Sequence, residues 1–198
     1  MKTIDWALET SVQETWCFAE NLFTPEECNT ICNIGSLDLI DSLVEGDSGG
    51  NVLDRSVRNS KHSLLDSSIE NNAWIFQRCS DAVLSLNRQF FEYDINKLES
   101  LQYGEYHFDT RGHFDRHVDA LYRTFGSFRK LSFSIQLTDP KTYQGGDLLL
   151  HYGPEPDIAP KDIGTMIMFP STMLHEVTPV TQGVRSSLVG WVLGPKLK

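Results

Sequence analysis

The half of the chain after Asp94 is a series of short strand-like segments that glycine and proline separate. The predicted strands lie at 98–108, 113–121, 130–138, 147–152, 164–169, 173–178 and 185–192. Turn signals such as Asp139-Pro140 and Gly145-Gly146 stand between them, and no helical period interrupts the series. Many short strands at this spacing are typical of two packed antiparallel sheets, so the sequence predicts a jelly roll or barrel.

The preceding half favours helices. Thr24 as N-cap, Pro25 at the first helical position and Glu27 three residues after the cap form a capping box, which predicts a helix that ends near residue 35. A second helix is predicted at 71–91, where apolar residues recur every three or four positions along one stripe that should pack on a sheet. Segment 57–65 shows neither period and stays unassigned.

The chain has 198 residues, of which 40% are hydrophobic and 22% charged, so it can form one sizeable core. We expect a single domain over 1–198, of α+β class but mainly β. Within it, 1–97 is the expected helical and strand support region, and 98–198 is the expected β core that carries the functional site.

The net charge of −10 and the pI near 5.0 argue against a nucleic-acid partner, because phosphate binding needs a concentrated basic face. No stretch approaches 18 apolar residues and the first residues contain no apolar signal core, so we expect a soluble cytoplasmic protein without a membrane partner. The four cysteines are expected to be small core residues; they are Cys17, Cys28, Cys32 and Cys79.

Three of the six histidines each stand two positions before an aspartate. The pairs are His107/Asp109, His113/Asp115 and His117/Asp119. Residues i and i+2 share a face of a strand, so the imidazole and carboxylate of one pair could converge on a metal ion. All six residues have the same parity, and strand alternation therefore does not choose among the pairs.

Two later residues extend this metal-site hypothesis. His175 follows a predicted strand, and Arg185 opens the apolar last strand. His175 together with His117 and Asp119 would form a 2-His-1-carboxylate set, which suits ferrous iron and leaves positions open for a co-substrate and dioxygen. A nearby arginine would hold the far carboxylate of a chelating 2-oxo acid through a charge-assisted contact.

In this ordered set, the chain resembles the Fe(II)/2-oxoglutarate-dependent dioxygenases, and within them the prolyl 4-hydroxylase-like branch, over residues 101–193. The motifs that carry the resemblance are LQYGEY at 101–106, GHFDRHVD at 112–119, GGDL at 145–148, His175, and RSSL at 185–188. The resemblance implies a double-stranded β-helix, that is, a cupin-like jelly roll, flanked by N-terminal helices. It also implies Fe(II), 2-oxoglutarate and O2, with ascorbate as a candidate reductant.

The resemblance further implies roles for single residues. The iron ligands would be His117, Asp119 and His175. The 2-oxoglutarate contacts would be Arg185 at the C5-carboxylate, Tyr106 with Tyr103 as the fallback, Gln136 and Ser187. The family places an aromatic residue three before the ligand histidine and an apolar residue inside the pair, which favours His117/Asp119 over His113/Asp115. Asp115 would then orient the ligands by hydrogen bonding.

The predicted reaction is hydroxylation of an unactivated C–H bond, with a prolyl residue in a peptide or protein as the expected substrate. A free amino acid or another small metabolite is the alternative within the same enzyme class. From other classes, a zinc hydrolase or a cupin-like metal-binding module remains open. The glycine-rich segment 45–51 is expected to be either a lid over a bound peptide or a plain connector.

Overall fold

The computed structural model describes residues 14–45, 50–120 and 127–195. Its helices are α1 (Pro25–Gly35) and α2 (Ala73–Leu86), and a π-helical turn at Asn87–Phe91 continues α2. Its strands are β1 (Cys17–Ala19), β2 (Ile40–Asp41), β3 (Val44–Glu45), β4 (Asn51–Val52), β5 (Arg58–Asn59), β6 (Lys61–Leu65), β7 (Lys97–Leu98), β8 (Leu101–His107), β9 (His113–His117), β10 (Ser127–Gln136), β11 (Leu148–His151), β12 (Asp157–Ile158), β13 (Met166–Pro170), β14 (Leu174–Val177) and β15 (Val184–Pro195). The predicted mainly β composition is confirmed.

The strands form two antiparallel sheets and a small hairpin. The major sheet has the order β1-β13-β10-β15-β8-β6-β2, with β7 also pairing with β15. The minor sheet has the order β12-β11-β14-β9-β5, and β3 pairs with β4. Neighbours in each sheet come from distant parts of the sequence, as in a double-stranded β-helix, and this confirms the predicted jelly roll.

Both helices bury an apolar stripe in the larger of the two hydrophobic cores. Ile31 of α1 and Ile75 of α2 are fully buried there together with residues of the major sheet. The capping box of α1 is formed: Thr24 N donates to Glu27 Oε2 at 2.9 Å, and Glu27 N donates to Thr24 Oγ1 at 3.3 Å. Neither helix of the described residues has the length and apolar composition to cross a bilayer.

The unassigned segment 57–65 forms β5 and β6, which extend the minor and the major sheet respectively. Its pattern is mixed because its side chains have different surroundings. Ser63 is buried and donates to the Gly35 carbonyl at the end of α1 at 2.5 Å, whereas Leu64 is exposed. The expected support region at 1–97 therefore supplies strands to both sheets and does not merely flank them.

Candidate functional site

A β-bulge in β9 brings two of the predicted site residues together. His117 pairs with His175 on β14, and Phe114 pairs with Val177, so two residues of β9 lie between the pairs where β14 has one. A bulge of this kind changes which side chains share a face. Phe114 and His117 consequently both line the cavity between the sheets, although strict alternation would separate them.

His117, Asp119 and His175 place one ligand atom each within 4.8 Å of one another. Asp119 Oδ1 is 3.7 Å from His117 Nε2, and Asp119 Oδ2 is 3.5 Å from His175 Nε2. Nδ1 of His117 lies 2.8 Å from the Asp115 carbonyl, and Nδ1 of His175 lies 2.9 Å from the Met173 carbonyl. Because Nδ1 donates to these carbonyls, each Nε2 keeps a lone pair that faces the carboxylate. The donor set fits a divalent iron.

The electrostatics of His117 and Asp119 favour the protonation states that metal binding needs. Burial, and then the charge of His175, lower the pKa of His117 to about 4. Burial by itself raises the pKa of Asp119, but His175 and His117 more than offset this effect and the pKa lies below its ordinary value. Ser132 and Trp191 add to the lowering, although Trp191 Nε1 makes no hydrogen bond of normal geometry among the described residues.

The other two His-x-Asp pairs lie outside this constellation. His113 Nε2 is 3.8 Å from Asp115 Oδ1 and 3.1 Å from the Ser56 carbonyl, and the Asp115 side chain is 60% exposed. His107 pairs instead with Glu105 at 2.7 Å. The expected orienting contact of Asp115 comes from its main-chain carbonyl, and its carboxylate takes no part in it.

Arg185 lies on β15 and reaches the cavity from the major sheet. It is 1% exposed, and its Nη1 and Nη2 donate to Ser187 Oγ at 3.3 Å and to Gln136 Oε1 at 3.1 Å. Nε has no partner, and no carboxylate forms an ion pair with the guanidinium in the described part of the chain. A buried cation without an anion is costly, so this arrangement fits a ligand carboxylate such as that of 2-oxoglutarate.

The remaining predicted co-substrate contacts separate into two groups. Tyr106 and Ser187 line the cavity, and the guanidinium carbon of Arg185 is 5.3 Å from the centroid of the Tyr106 ring. Gln136 does not line the cavity, and it reaches a ligand only through its bond to Arg185. Tyr103 lies on the opposite face of β8, where it packs against α1, because it is three positions from Tyr106. Tyr103 is therefore not a usable fallback.

The Gly-Gly pair of the GGDL motif has a steric reason. Gly146 has φ +61°, and a Cβ there would lie 2.8 Å from Arg185 Cδ and 2.9 Å from Val180 Cγ2. Gly145 has φ +71° in the same turn. A side chain at Gly146 would displace the arginine that reaches the cavity, so the motif protects the position of Arg185.

Reasoning from the sequence missed two cavity residues, Arg58 and His62, and a buried tyrosine near Arg185, Tyr143. The guanidinium carbon of Arg58 is 4.5 Å from the centroid of the Phe114 ring, and His62 also lines the cavity. Tyr143 has a buried hydroxyl without a partner in the described residues, and its pKa is raised, chiefly by burial and against the effect of Arg185. Segment 57–65 offered no periodic signal, whereas Tyr143, two residues before the Gly-Gly pair, could have been noticed as a polar aromatic beside a motif.

The cavity between the sheets has a volume of about 850 Å³. His117, Asp119 and His175 line one side of it, and Arg185 lines the other. Val44, Gly50 and Asn51 also line the cavity, and the last two belong to the predicted lid 45–51. Residues 46–49 of that segment lie outside the described residues, so its role as a lid stays a prediction.

Fold and site together define a class of protein. Residues 101–193 match the sequence model of the 2OG-Fe(II) oxygenase superfamily. This match confirms the predicted resemblance to that superfamily, whose cofactors are the predicted Fe(II), 2-oxoglutarate and O2.

Individual relatives are more specific. A PKHD-type hydroxylase of Synechococcus sp. (strain CC9311) is 32% identical over 139 residues, which cover 70% of this chain and 56% of the relative. The chain spans about half the length of the curated relatives it matches.

Solved structures establish the fold. A Pseudomonas putida prolyl-4-hydroxylase has a TM-score of 0.69 at 16% identity, covering 93% of this chain and 94% of that one. A Trichoplax adhaerens prolyl hydroxylase, solved in complex with a hypoxia inducible factor peptide fragment, has a TM-score of 0.68 at 16% identity and covers 91% of this chain and 84% of that one.

Proposed function

We propose that this chain is an Fe(II)- and 2-oxoglutarate-dependent dioxygenase that hydroxylates a prolyl residue in a peptide or protein. One observation carries the proposal. A set of three metal-ligand side chains on one side of the cavity faces a buried arginine without a carboxylate partner on the other. A hydrolytic zinc site would have no use for such an anchor, because a 2-oxo acid takes no part in its reaction.

His117, Asp119 and His175 would hold the iron. Bound Fe(II) supplies the O2 activation that couples decarboxylation of 2-oxoglutarate to hydroxylation of a C–H bond. The main-chain carbonyls of Asp115 and Met173 fix the two imidazole rings, so that both Nε2 atoms face the same point before the metal binds. This preorganisation lowers the cost of assembling the site.

Arg185 would bind the C5-carboxylate of 2-oxoglutarate through its guanidinium fork. Gln136 holds the fork from behind, while Tyr106 and Ser187 provide the polar and aromatic wall around the carboxylate. Residues on opposite sides of the cavity would thereby orient the two ends of the co-substrate.

Aromatic side chains shield the ligand histidines from water. The Phe114 ring stacks on His117 with the centroids 3.6 Å apart, and Phe169 lies 4.7 Å from His175. These rings would exclude water from one side of a bound metal, which would limit turnover that is uncoupled from the substrate. Ascorbate would act as the reductant when uncoupled turnover does occur.

The prolyl assignment is supported by the relatives. The curated relatives carry the name PKHD-type hydroxylase, and the Trichoplax adhaerens neighbour is a prolyl hydroxylase in complex with a peptide fragment. The cavity lies within the size range of small-molecule sites and is open to a substrate beyond the co-substrate. We place the activity in the cytoplasm, where the four free cysteines would stay reduced.

Anaerobic addition of Fe(II) and 2-oxoglutarate tests the centre, and the expected result is a metal-to-ligand charge-transfer band in the visible. Incubation with proline-containing peptides in air should then add the mass of one oxygen atom, and a reaction without 2-oxoglutarate is the control. Absence of the band, together with tight binding of Zn(II), would refute the oxygenase assignment in favour of a hydrolase or a metal-binding module. Oxygen transfer to free amino acids alone would select the small-metabolite alternative.

A further inference from the structure

Arg58 is a second cation at the cavity, and it lies on the side of the candidate iron ligands. Its guanidinium carbon is 4.5 Å from the centroid of the Phe114 ring, which itself stacks on His117. Its Nε donates to Ser60 Oγ at 2.9 Å, which fixes the plane of the group. Among the described residues no carboxylate pairs with Arg58, and no acceptor contacts its two terminal nitrogens.

The charges around the cavity leave Arg58 uncompensated. Arg129 forms an ion pair with Glu99 at 2.7 Å. Under the proposed function, the charges of ferrous iron and Arg185 would balance those of Asp119 and the 2-oxoglutarate dianion. His62 is neutral at neutral pH because burial, and then the charge of Arg58, lower its pKa. In a protein with a net charge of −10, Arg58 is thus a cation of the candidate substrate cavity that has no counter-ion among the described residues.

We propose that Arg58 is a specificity residue that binds a carboxylate of the substrate close to the carbon that is hydroxylated. This inference rests on the proposed function. The guanidinium fork suits bidentate contact with a carboxylate, and its stacking on Phe114 holds the fork in one plane. The carboxylate has two possible sources, an acidic side chain beside the target proline or the carboxyl terminus of a substrate that ends at the target.

The position of Arg58 limits where the carboxylate can lie. One ring layer, that of Phe114, separates the guanidinium from His117. An extended peptide advances about 3.3–3.6 Å per residue. A target proline held at the ligand cluster would therefore place an acidic residue one or two positions away over Arg58, and a terminal carboxylate would reach the same place.

Matched substrates test the inference on the full chain loaded with Fe(II) and 2-oxoglutarate. In the first series, peptides with a central proline carry either Asp or Asn at one of the two positions before or after it. In the second series, peptides that end in proline have either a free or an amidated carboxyl terminus. Free proline is the last substrate tested. We expect wild-type protein to favour one carboxylate-bearing member of a pair by about tenfold or more in kcat/KM, the range of hydrogen bonds to charged groups. Affinity in the anaerobic complex, measured by calorimetry, should show the same preference.

Variants separate recognition from folding. In Arg58→Gln the preference ratio should fall to about one, and Arg58→Glu should instead prefer Lys over Asp at the same peptide position. Arg116→Gln is the matched control, since Arg116 is mostly exposed and pairs with Glu176 outside the cavity, and it should keep the wild-type ratio. The charge-transfer band verifies that each variant is folded and loaded.

The outcomes distinguish this inference from the proposed function. Hydroxylation of proline peptides without discrimination between Asp and Asn, or between acid and amide, would overturn the role of Arg58 and leave the enzyme assignment standing. If the band forms but neither peptides nor free proline gain oxygen, the prolyl substrate class is wrong. Calorimetry with the same pairs then decides on Arg58, and equal or absent binding of both members would overturn its role.

Discussion

Two His-x-Asp pairs stand four residues apart in the chain, and the structure places them in different surroundings. His117 and Asp119 lie in the cavity between the sheets, next to His175 of the neighbouring strand. His113 contacts the Ser56 carbonyl, and Asp115 points into solvent. The motif is the same in both places, and the surroundings differ.

The difference teaches that a metal-ligand motif depends on its neighbours. The bulge between Phe114 and His117 turns the second pair inward, and the neighbouring strand β14 supplies the third ligand at the paired position. Burial and the neighbouring histidine then adjust the protonation states of His117 and Asp119. Among the residues that the structure describes, the outer pair, His113 and Asp115, has no histidine of a neighbouring strand beside it as a third ligand, and its carboxylate is exposed.

The largest expected effect separates the two pairs directly. His117→Ala should lower the affinity for Fe(II) and the rate of 2-oxoglutarate decarboxylation by about 100-fold or more. Loss of a metal ligand costs more than loss of a contact that supports a ligand. Titration of the charge-transfer band and assay of released succinate measure both. His113→Ala is the matched control and should keep both activities. The reverse pattern would move the metal site four residues upstream.

The second prediction concerns Arg185, which faces His117 and Asp119, the inner pair, across the cavity. Arg185→Ala should raise the 2-oxoglutarate concentration needed for half-saturation by about 10- to 100-fold, since it removes charge-assisted hydrogen bonds to a buried carboxylate. Arg185→Lys should recover part of the affinity, because the charge remains while the fork is lost. If the alanine variant needed the same 2-oxoglutarate concentration as the wild type, Arg185 would not bind the co-substrate. The inner pair would then no longer differ from the outer pair in facing a co-substrate anchor.

A smaller effect is expected from the glycine turn that makes room for Arg185. In Gly146→Ala the new methyl group would lie 2.8 Å from Arg185 Cδ on a backbone with φ +61°. We expect a loss of about 1–3 kcal/mol in the free energy of unfolding, together with weaker 2-oxoglutarate binding. Gly153→Ala is the control, since a Cβ there meets only the Glu155 carbonyl at 3.9 Å. Equal effects at both glycines would refute the steric explanation.

Features that depend on residues close together in the sequence could be predicted, whereas features that depend on distant residues could not. The α1 capping box was readable because its bonds join residues three apart. The bulge in β9 was not, since it exists only through pairing with β14, more than fifty residues later in the chain. The face of Tyr103 was readable from its odd spacing to Tyr106, whereas Arg58 lies in a segment without periodicity and joins the site through tertiary packing.

The last prediction concerns the pH dependence of stability in the metal-free protein, where no binding or activity is lost. The pKa of His117 is about 4 in the folded chain and near 6.5 in an unfolded one. The unfolded state therefore binds more protons between these values, and the free energy of unfolding should fall as the pH drops from about 6.5 to 4, by at most about 3 kcal/mol. Asp119, whose pKa is lowered from a value near 3.8, would act in the same direction only at still lower pH. Urea unfolding at a series of pH values measures the slope, and His117→Gln should flatten it. If the variant kept the wild-type slope, the protonation of His117 would not be the source of this pH dependence.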